Sequence, residues 1–345
     1  MKPYSQLTNR GKLRRLRALA QAALAQYELK DPSLDFYVFN TNLLFKVTTA
    51  SGQYMLRLAS PGWRTFENLQ AEALWLEALR HDTDIPAPLI LPSRSGEMVL
   101  PVSVPGVSKP WNTSLMTWIP GRLLGHYLNP QNLEKMGTLF ARLHQHGAAW
   151  KPPAAFNPQR FEHWLSRREP NLIVAGGGVD GGKMTEDEAQ RLSQVPAQAR
   201  ELIERLHRRV EEAYTSLERA DLRVIHCDLW HDNIKLDHGE LIPFDFEDTI
   251  WGFRSHDIAM AMLDLLESTG NERYPGLLAA FERGYTAHLP WPAAPIEPFQ
   301  VGRLLWKINW VARFQSQYLV NMVESHLPVL EHFERIGQVN CPPSM

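Results

Sequence analysis

The apolar residues of this chain change their spacing about a third of the way along it, and that change limits the fold more than any other feature. Between 35 and 59 they come in short alternating runs: Phe36, Val38 and Phe39, then Leu43, Phe45 and Val47, then Tyr54, Leu56 and Leu58. A period of two predicts strands, separated here by Asn40-Thr41-Asn42 and by the hairpin signal Ser51-Gly52. A helix is predicted over about 66–80, ended by Pro86 and Pro88, with further strands near 87–103 and 113–119. Beyond Gly121 the spacing turns to 3.6, as in Leu133, Met136, Phe140 and Leu143, or Leu202, Ile203, Leu206 and Val210. Stretches near 256–268, 276–287 and 298–325 read the same way. Two short strand-like pieces, 223–225 and 241–244, interrupt this half. A basic amphipathic helix leads the chain at 11–28. The expected fold is α+β with two lobes, 1–117 strand-rich and 118–345 mainly helical.

Composition removes several classes of function. Of 345 residues, 44% are hydrophobic and 21% charged, ordinary globular usage that excludes a disordered or fibrous chain. The 36 Lys and Arg against 38 Asp and Glu leave a net charge of -2, so no chain-wide basic coat awaits nucleic acid. Two cysteines cannot build a disulfide framework, which suits a reducing compartment. No apolar run approaches a membrane span, and the start is polar and basic rather than signal-like. A cytoplasmic protein without membrane or nucleic-acid partners is expected.

The chemistry concentrates between Val224 and Asp257. Asp228 and Asn233 lie five apart on a loop after a short strand, and Asp245-Phe246 follows a second one. Phosphoryl transfer needs such residues: a carboxylate to take the proton of an attacking hydroxyl, and hard oxygen ligands to hold Mg²⁺ on nucleotide phosphates. His226, Asp228, Asn233 and Asp245-Phe246 reproduce the order and spacing of His-x-Asp-x-x-x-x-Asn and Asp-Phe in protein-kinase catalytic and metal loops. A metal-dependent hydrolase reading of His226, Asp228, His231 and Asp232 leaves Asn233 and Asp245 unexplained.

On these residues the chain resembles the aminoglycoside phosphotransferase and choline kinase superfamily, from about Leu34 to the final helix, with a texture closest to its homoserine-kinase-like and stress-response-kinase branch. The resemblance implies a protein-kinase-like fold, ATP and Mg²⁺ as cofactors, and a small molecule bearing a hydroxyl as substrate. It implies Asp228 as catalytic base, Asn233 and Asp245 as magnesium ligands, and His226 and Asp257 as supports of the loop. The family's usual His-Gly-Asp is His-Cys-Asp here, with Cys227 in the glycine position. Arg57 takes the place of the basic residue on the third strand, and Glu72 that of its helix partner. Asn40 and Asn42 stand, without glycine, where the family's phosphate-covering loop lies, a stretch that reads equally as a plain hairpin turn, and Met116 and Trp118 stand in the place of the adenine-contacting linker.

Other features are open to more than one reading. Gly177–Met184, GGVDGGKM, nearly matches a P-loop, but Met184 cannot bind magnesium and acidic residues follow. The Gly-rich stretch 176–182 is a candidate mobile loop, and His144-Gln145-His146 reads as a polar helix end. No G-x-S-x-G elbow occurs. Trp251, Trp306 and Trp310 are candidate substrate contacts or core aromatics. Glu247, Asp248 and Asp264 suit either an amine-bearing alcohol or simple capping. The function expected is transfer of the γ-phosphoryl group of ATP to an amino alcohol, aminoglycoside-like or sugar-like hydroxyl. The alternatives are a Ser/Thr protein kinase of the stress-response type and a catalytically inactive kinase-fold binding module.

Overall fold

The computed structural model describes residues 4–165, 169–174 and 186–340. The first part of the chain forms α1 (Asn9–Leu24), β1 (Ser33–Phe39), β2 (Asn42–Thr49), β3 (Gly52–Ala59), α2 (Phe66–Asp82), β4 (Ile90–Leu91), β5 (Leu100–Val102) and β6 (Trp111–Thr117). Then come β7 (Arg122–Leu123), α3 (Pro130–Ala149), α4 (Glu186–Ser193), α5 (Ala197–Thr215), β8 (Arg223–Ile225), β9 (Ile234–Asp237), β10 (Glu240–Pro243) and β11 (Ile250–Gly252). Three long helices end the order: α6 (Arg254–Thr286), α7 (Glu297–Phe314) and α8 (Leu319–Ile336). The short strands β7, β9 and β11 went unread in the sequence. The Gly-rich stretch 176–182 and the near-match 177–184 lie outside the described residues. No helix among the described residues is long and apolar enough to cross a membrane.

Contacts divide the chain into two compact units, each discontinuous in sequence. The first comprises residues up to Arg122 with 150–158 and 235–249; the second comprises 123–149, 159–234 and 250 onward.

In the first unit, β1-β2-β3-β6-β4 form an antiparallel sheet, with β5 also pairing β6. The hairpin at Ser51-Gly52 sets the β2–β3 register from Thr49↔Gly52 to Asn42↔Ala59. That register turns Leu43, Phe45, Val47, Leu56 and Leu58 inward, where they meet Leu16, Leu19, Ala20 and Ala23 of α1. Burying each large side chain is worth roughly 1.5–3 kcal/mol, which fixes the sheet that carries Arg57. Helix α2 starts at a reciprocal capping box, Thr65 with Asn68, and its buried face includes Glu72 and Trp75.

In the second unit, α3 packs along α6 at very close range. An added Cβ on Gly137 would lie 1.9 Å from the carbonyl oxygen of Phe281, and one on Gly284 1.8 Å from that of Glu134. A polar bridge crosses the same seam: the His144 ring sits between the Tyr285 hydroxyl, 2.9 Å from Nδ1, and the Asp257 carboxylate, 2.9 Å from Nε2. Burial lowers the His144 pKa from its ordinary 6.5, outweighing the opposing pull of Asp257. The ring is therefore neutral, donating from Nε2 to Asp257 and accepting from Tyr285 at Nδ1. Burial alone would raise the Asp257 pKa, but the hydrogen bonds from His144 and from the Cys227 amide act against it, and the direction is down. The expected polar helix end at His144 is instead a fully buried fastening.

Two outcomes follow from this seam. Gly284→Ala gains helix propensity yet forces backbone apart, and a net loss of about 2 kcal/mol is expected, read as a lower melting temperature. The second concerns pH. A histidine held neutral in the fold but protonated when unfolded contributes stability above pH 6.5 that is lost as pH falls below it. The melting temperature should fall from about pH 7 to about pH 5. His144→Gln should start lower and fall less steeply; an equal slope in both proteins would remove His144 from the effect.

Candidate active site

The short strand β8 leads out of the core of the second unit. It pairs antiparallel with β11, Ile225 opposite Ile250, and Gly147 of α3 comes so close that a Cβ there would lie 2.0 Å from the Val224 carbonyl oxygen. The chain then turns through fully buried His226 into Cys227, whose φ of 67° is left-handed. A side chain there costs roughly 1–2 kcal/mol, which explains why glycine suits this position and what cysteine has to offset. The Cys227 amide donates to Asp257 Oδ1 at 2.7 Å. Asp257 lies in the first turn of α6, where a carboxylate is favoured by the helix dipole. The thiol is buried 3.7 Å from His256 Nε2, and His256 Nδ1 bonds the Tyr214 hydroxyl at 2.6 Å.

Asp228 follows. Its amide donates to His226 Nδ1 at 3.3 Å, so His226 supports the loop from behind. The Asn233 amide nitrogen donates to the Asp228 carbonyl at 2.8 Å and to Oδ2 at 3.1 Å, closing the loop on itself through the 3-10 turn His231–Asn233. Arg303 of α7 donates to Oδ1 at 3.0 Å. Sequence reading missed Arg303, as it missed the part played by His144; neither has a local signal that points to a partner so distant in the chain. His231 bonds Ser268 at 3.1 Å. Among the described residues no three or more His, Cys, Asp and Glu gather to hold a metal ion, so the hydrolase centre of His226, Asp228, His231 and Asp232 is not assembled.

The first unit contains a second charged centre. Arg57 on β3 is 3% exposed and forks onto Glu72 of α2, Nη1 to Oε1 at 3.1 Å and Nη2 to Oε2. Glu247 Oε2 approaches Arg57 Nη1 at 3.6 Å and also accepts from Asn42 Nδ2 at 2.5 Å, while Trp63 Nε1 donates to Glu247 Oε1 at 2.9 Å. Burial works against the guanidinium's charge, but Glu72, Glu247 and Asp245 outweigh it and raise its pKa, so Arg57 is permanently cationic. Asp248 pairs with Arg64. Glu247 and Asp248, read as suited to an amine, are thus committed inside the unit, and Lys307 takes Asp264 at 2.8 Å in the other.

Asp245 is exposed and left-handed, with φ 63°. The next residue, Phe246, is wholly buried edge-on to Trp75 of α2, which anchors the metal-loop candidate. Asn40 is exposed, whereas Asn42 is buried against Glu247, so the two asparagines of the loop have different surroundings. In the linker, Met116 is half-buried and Trp118 lies under two cations, Lys46 at 4.5 Å and Lys235 at 5.0 Å from its ring centre. Its amide donates to Gln53 at 3.1 Å, and Lys235 donates to the Ile119 carbonyl at 2.6 Å. Of the candidate substrate aromatics, Trp251 pairs with Val224 in β11 and its carbonyl accepts from Phe161 at 2.6 Å. Trp306 lies under Arg303 at 4.4 Å, and Trp310 packs on Phe314 with ring centres 5.4 Å apart.

Solved structures of known proteins share this fold. A structure of a microcompartment-associated aminopropanol kinase is 22% identical with a TM-score of 0.71, covering 92% of this chain and 98% of that one. An amicoumacin kinase in complex with AMP-PNP and Ca²⁺ is 16% identical, also with a TM-score of 0.71, covering 93% of each chain. A choline/ethanolamine kinase family protein from Mesorhizobium loti is 17% identical, TM-score 0.60, covering 94% of this chain and 97% of that one. These likenesses establish the fold as α+β and protein-kinase-like. An uncharacterized protein of Synechocystis sp. is 27% identical over 149 residues, 43% of this chain, and the match takes in only 40% of that relative's length. The model of the phosphotransferase enzyme family matches residues 40–294, well over half of the chain. The chain belongs to the phosphotransferase enzyme family.

Proposed function

We propose that this protein is a cytoplasmic phosphotransferase that uses magnesium-ATP and moves the γ-phosphoryl group to a hydroxyl of a small molecule. The observation that carries the reading is Asp228: a partly exposed carboxylate on a buried, pinned loop, with its amide, carbonyl and both oxygens held. A carboxylate held by amide and guanidinium donors keeps a fixed direction, as a base that receives a proton from an incoming hydroxyl requires. In the reaction the acceptor oxygen forms a bond to the γ-phosphorus, the bond to the bridging oxygen breaks, and the hydroxyl proton passes to Asp228. The similar amicoumacin kinase, with AMP-PNP and Ca²⁺, supports a nucleotide and a divalent cation.

In this reading Asn233 and Asp245 are the residues that would supply oxygen to magnesium. Asn233 spends its amide nitrogen on Asp228 and so offers its carbonyl oxygen, and Asp245 offers an exposed carboxylate. Both are hard oxygen donors, and magnesium needs few from protein because it keeps waters and phosphate oxygens. When bound with ATP it neutralises charge on the phosphates. That charge matters here, since Arg57 already faces Glu72, Glu247 and Asp245 and cannot alone balance a triphosphate. In this reading Glu72 and Glu247 hold the Arg57 guanidinium toward phosphate oxygens, Asn40 and Asn42 shape the covering loop, and Met116 and Trp118 border the adenine. Trp251, Trp306 and Trp310 border the acceptor, and residues 1–117 and 118–345 are the two functional lobes.

ATP should raise the melting temperature only when magnesium is present; equal stabilisation by ATP with a chelator would argue against the assigned charge balance. Turnover against a panel of amino alcohols, sugars and protein substrates identifies the acceptor class. With the best acceptor, Asp228→Asn should reduce kcat by about 10²–10⁴-fold while magnesium-ATP binding holds; unchanged turnover would strip Asp228 of the base role. Arg57→Lys keeps the charge but loses the fork, and a rise of about tenfold in the KM for ATP is expected.

A further inference from the structure

Helix α7 is buried along most of its circumference by Phe299, Val301, Leu304, Leu305 and Ile308. The strip that stays half-buried is Arg303, Trp306, Lys307 and Trp310, spaced i, i+3, i+4 and i+7 and so on one face. Two buried amides fix the rotation of this helix. Gln300 donates to the Tyr274 hydroxyl at 3.1 Å; Asn309 accepts from the Leu172 amide at 2.7 Å and donates to the Pro170 carbonyl at 3.0 Å. The two cations of the strip then part company. Lys307 is taken by Asp264 at 2.8 Å and Glu267 at 2.6 Å, whereas Arg303 donates to Asp228 at 3.0 Å. Trp306 lies under the Arg303 guanidinium, 4.4 Å from ring centre to Cζ, and ties its own indole to Glu169 at 3.3 Å.

We propose that Arg303, seated on Trp306, is the positioning residue of the base Asp228, an inference that rests on the function proposed above. The terminal torsion of an aspartate is soft, and Asn233 alone holds only Oδ2. Arg303 fastens Oδ1 from a different element, 75 residues further along the chain. With both oxygens held from two elements, the plane of the carboxylate is set. A base displaced by about 1 Å forfeits roughly a hundredfold in rate, so this fastening acts on the chemical step and not on nucleotide binding. The stretch between Asp228 and Asn233 (Leu229, Trp230, His231, Asp232) carries no lysine or arginine to do the same from within the loop.

The test compares Arg303→Ala, Arg303→Lys and Asp228→Asn in phosphoryl transfer from magnesium-ATP to the best acceptor of the panel, with magnesium-ATP binding measured by calorimetry. For Arg303→Ala the expected result is a kcat lower by roughly fiftyfold with the KM for ATP within about twofold. Added guanidinium ion at millimolar concentration should restore part of that rate, and Arg303→Lys should fall between the two. Guanidinium should do nothing for Asp228→Asn. Wild-type kcat in Arg303→Ala overturns the inference. So does a loss matched by weaker magnesium-ATP binding, or one that neither guanidinium nor lysine relieves. Should Arg303→Ala not fold, Arg303→Met keeps most of the bulk and removes the donor; a lower kcat at unchanged KM for ATP supports the inference, and a wild-type kcat overturns it. A wild-type chain that binds no magnesium-ATP, or an active Asp228→Asn, sinks the functional reading itself. A dead Asp228→Asn beside a fully active Arg303→Ala sinks only the role of Arg303.

Discussion

One buried carboxylate organises the second unit. Asp257 is 2% exposed, and an ionised group so placed is tolerated only when its lone pairs are used. It receives the His144 ring from α3 on one oxygen and the Cys227 amide on the other. The first bond joins two helices; the second decides where the loop begins. Cysteine in left-handed backbone costs roughly 1–2 kcal/mol, while an amide bond to a charged acceptor contributes roughly 1.5–3 kcal/mol. The two are of similar size, so the bond offsets the strain and the loop holds its turn with cysteine where the family usually places glycine. Everything after Cys227 inherits its direction: Asp228, the turn at 231–233, and Asn233 folded back onto Asp228.

The first unit is organised around a cation instead. Arg57 is buried with Glu72 and Glu247 beside it and with Asp245 in its field. Buried ion pairs add little net stability over apolar residues of similar size, so stability alone is a poor reason for this cluster. The cluster carries surplus negative charge around one guanidinium, which is the charge balance that the proposed function draws on. Within this unit, Phe246 packs against Trp75 and so ties the segment after Asp245 to the helix that carries Glu72.

Much of this was legible in the sequence, where the signal is local. The spacing of His226, Asp228, Asn233 and Asp245 needs only a short loop and a hairpin, and residue types along one stretch disclose it. The helix expected at 66–80 is α2, Phe66–Asp82, because caps and periodicity act over a few residues. What stayed hidden depends on contacts between distant segments. Arg303 looked like any helix arginine, His144 like a polar ending, and Glu247 like a free acid. Their partners, Asp228, Asp257 and Arg57, lie 75, 113 and 190 residues away, and spacing along the chain carries no record of such pairs. The break in α6 at Gly270, with φ 73°, marks the gap between the two helical stretches read at 256–268 and 276–287.

Asp257 fixes the start of the 227–233 loop through one backbone hydrogen bond, from the Cys227 amide. Amide hydrogen exchange at Cys227 tests it most directly, in the wild-type chain and in Asp257→Asn, with the α3 and α6 core amides as internal reference. Exchange at Cys227 in Asp257→Asn should accelerate by about 10–100-fold while those core amides keep their protection, the change expected from losing one bond to a charged acceptor. Equal protection of the Cys227 amide in both proteins would contradict the claim.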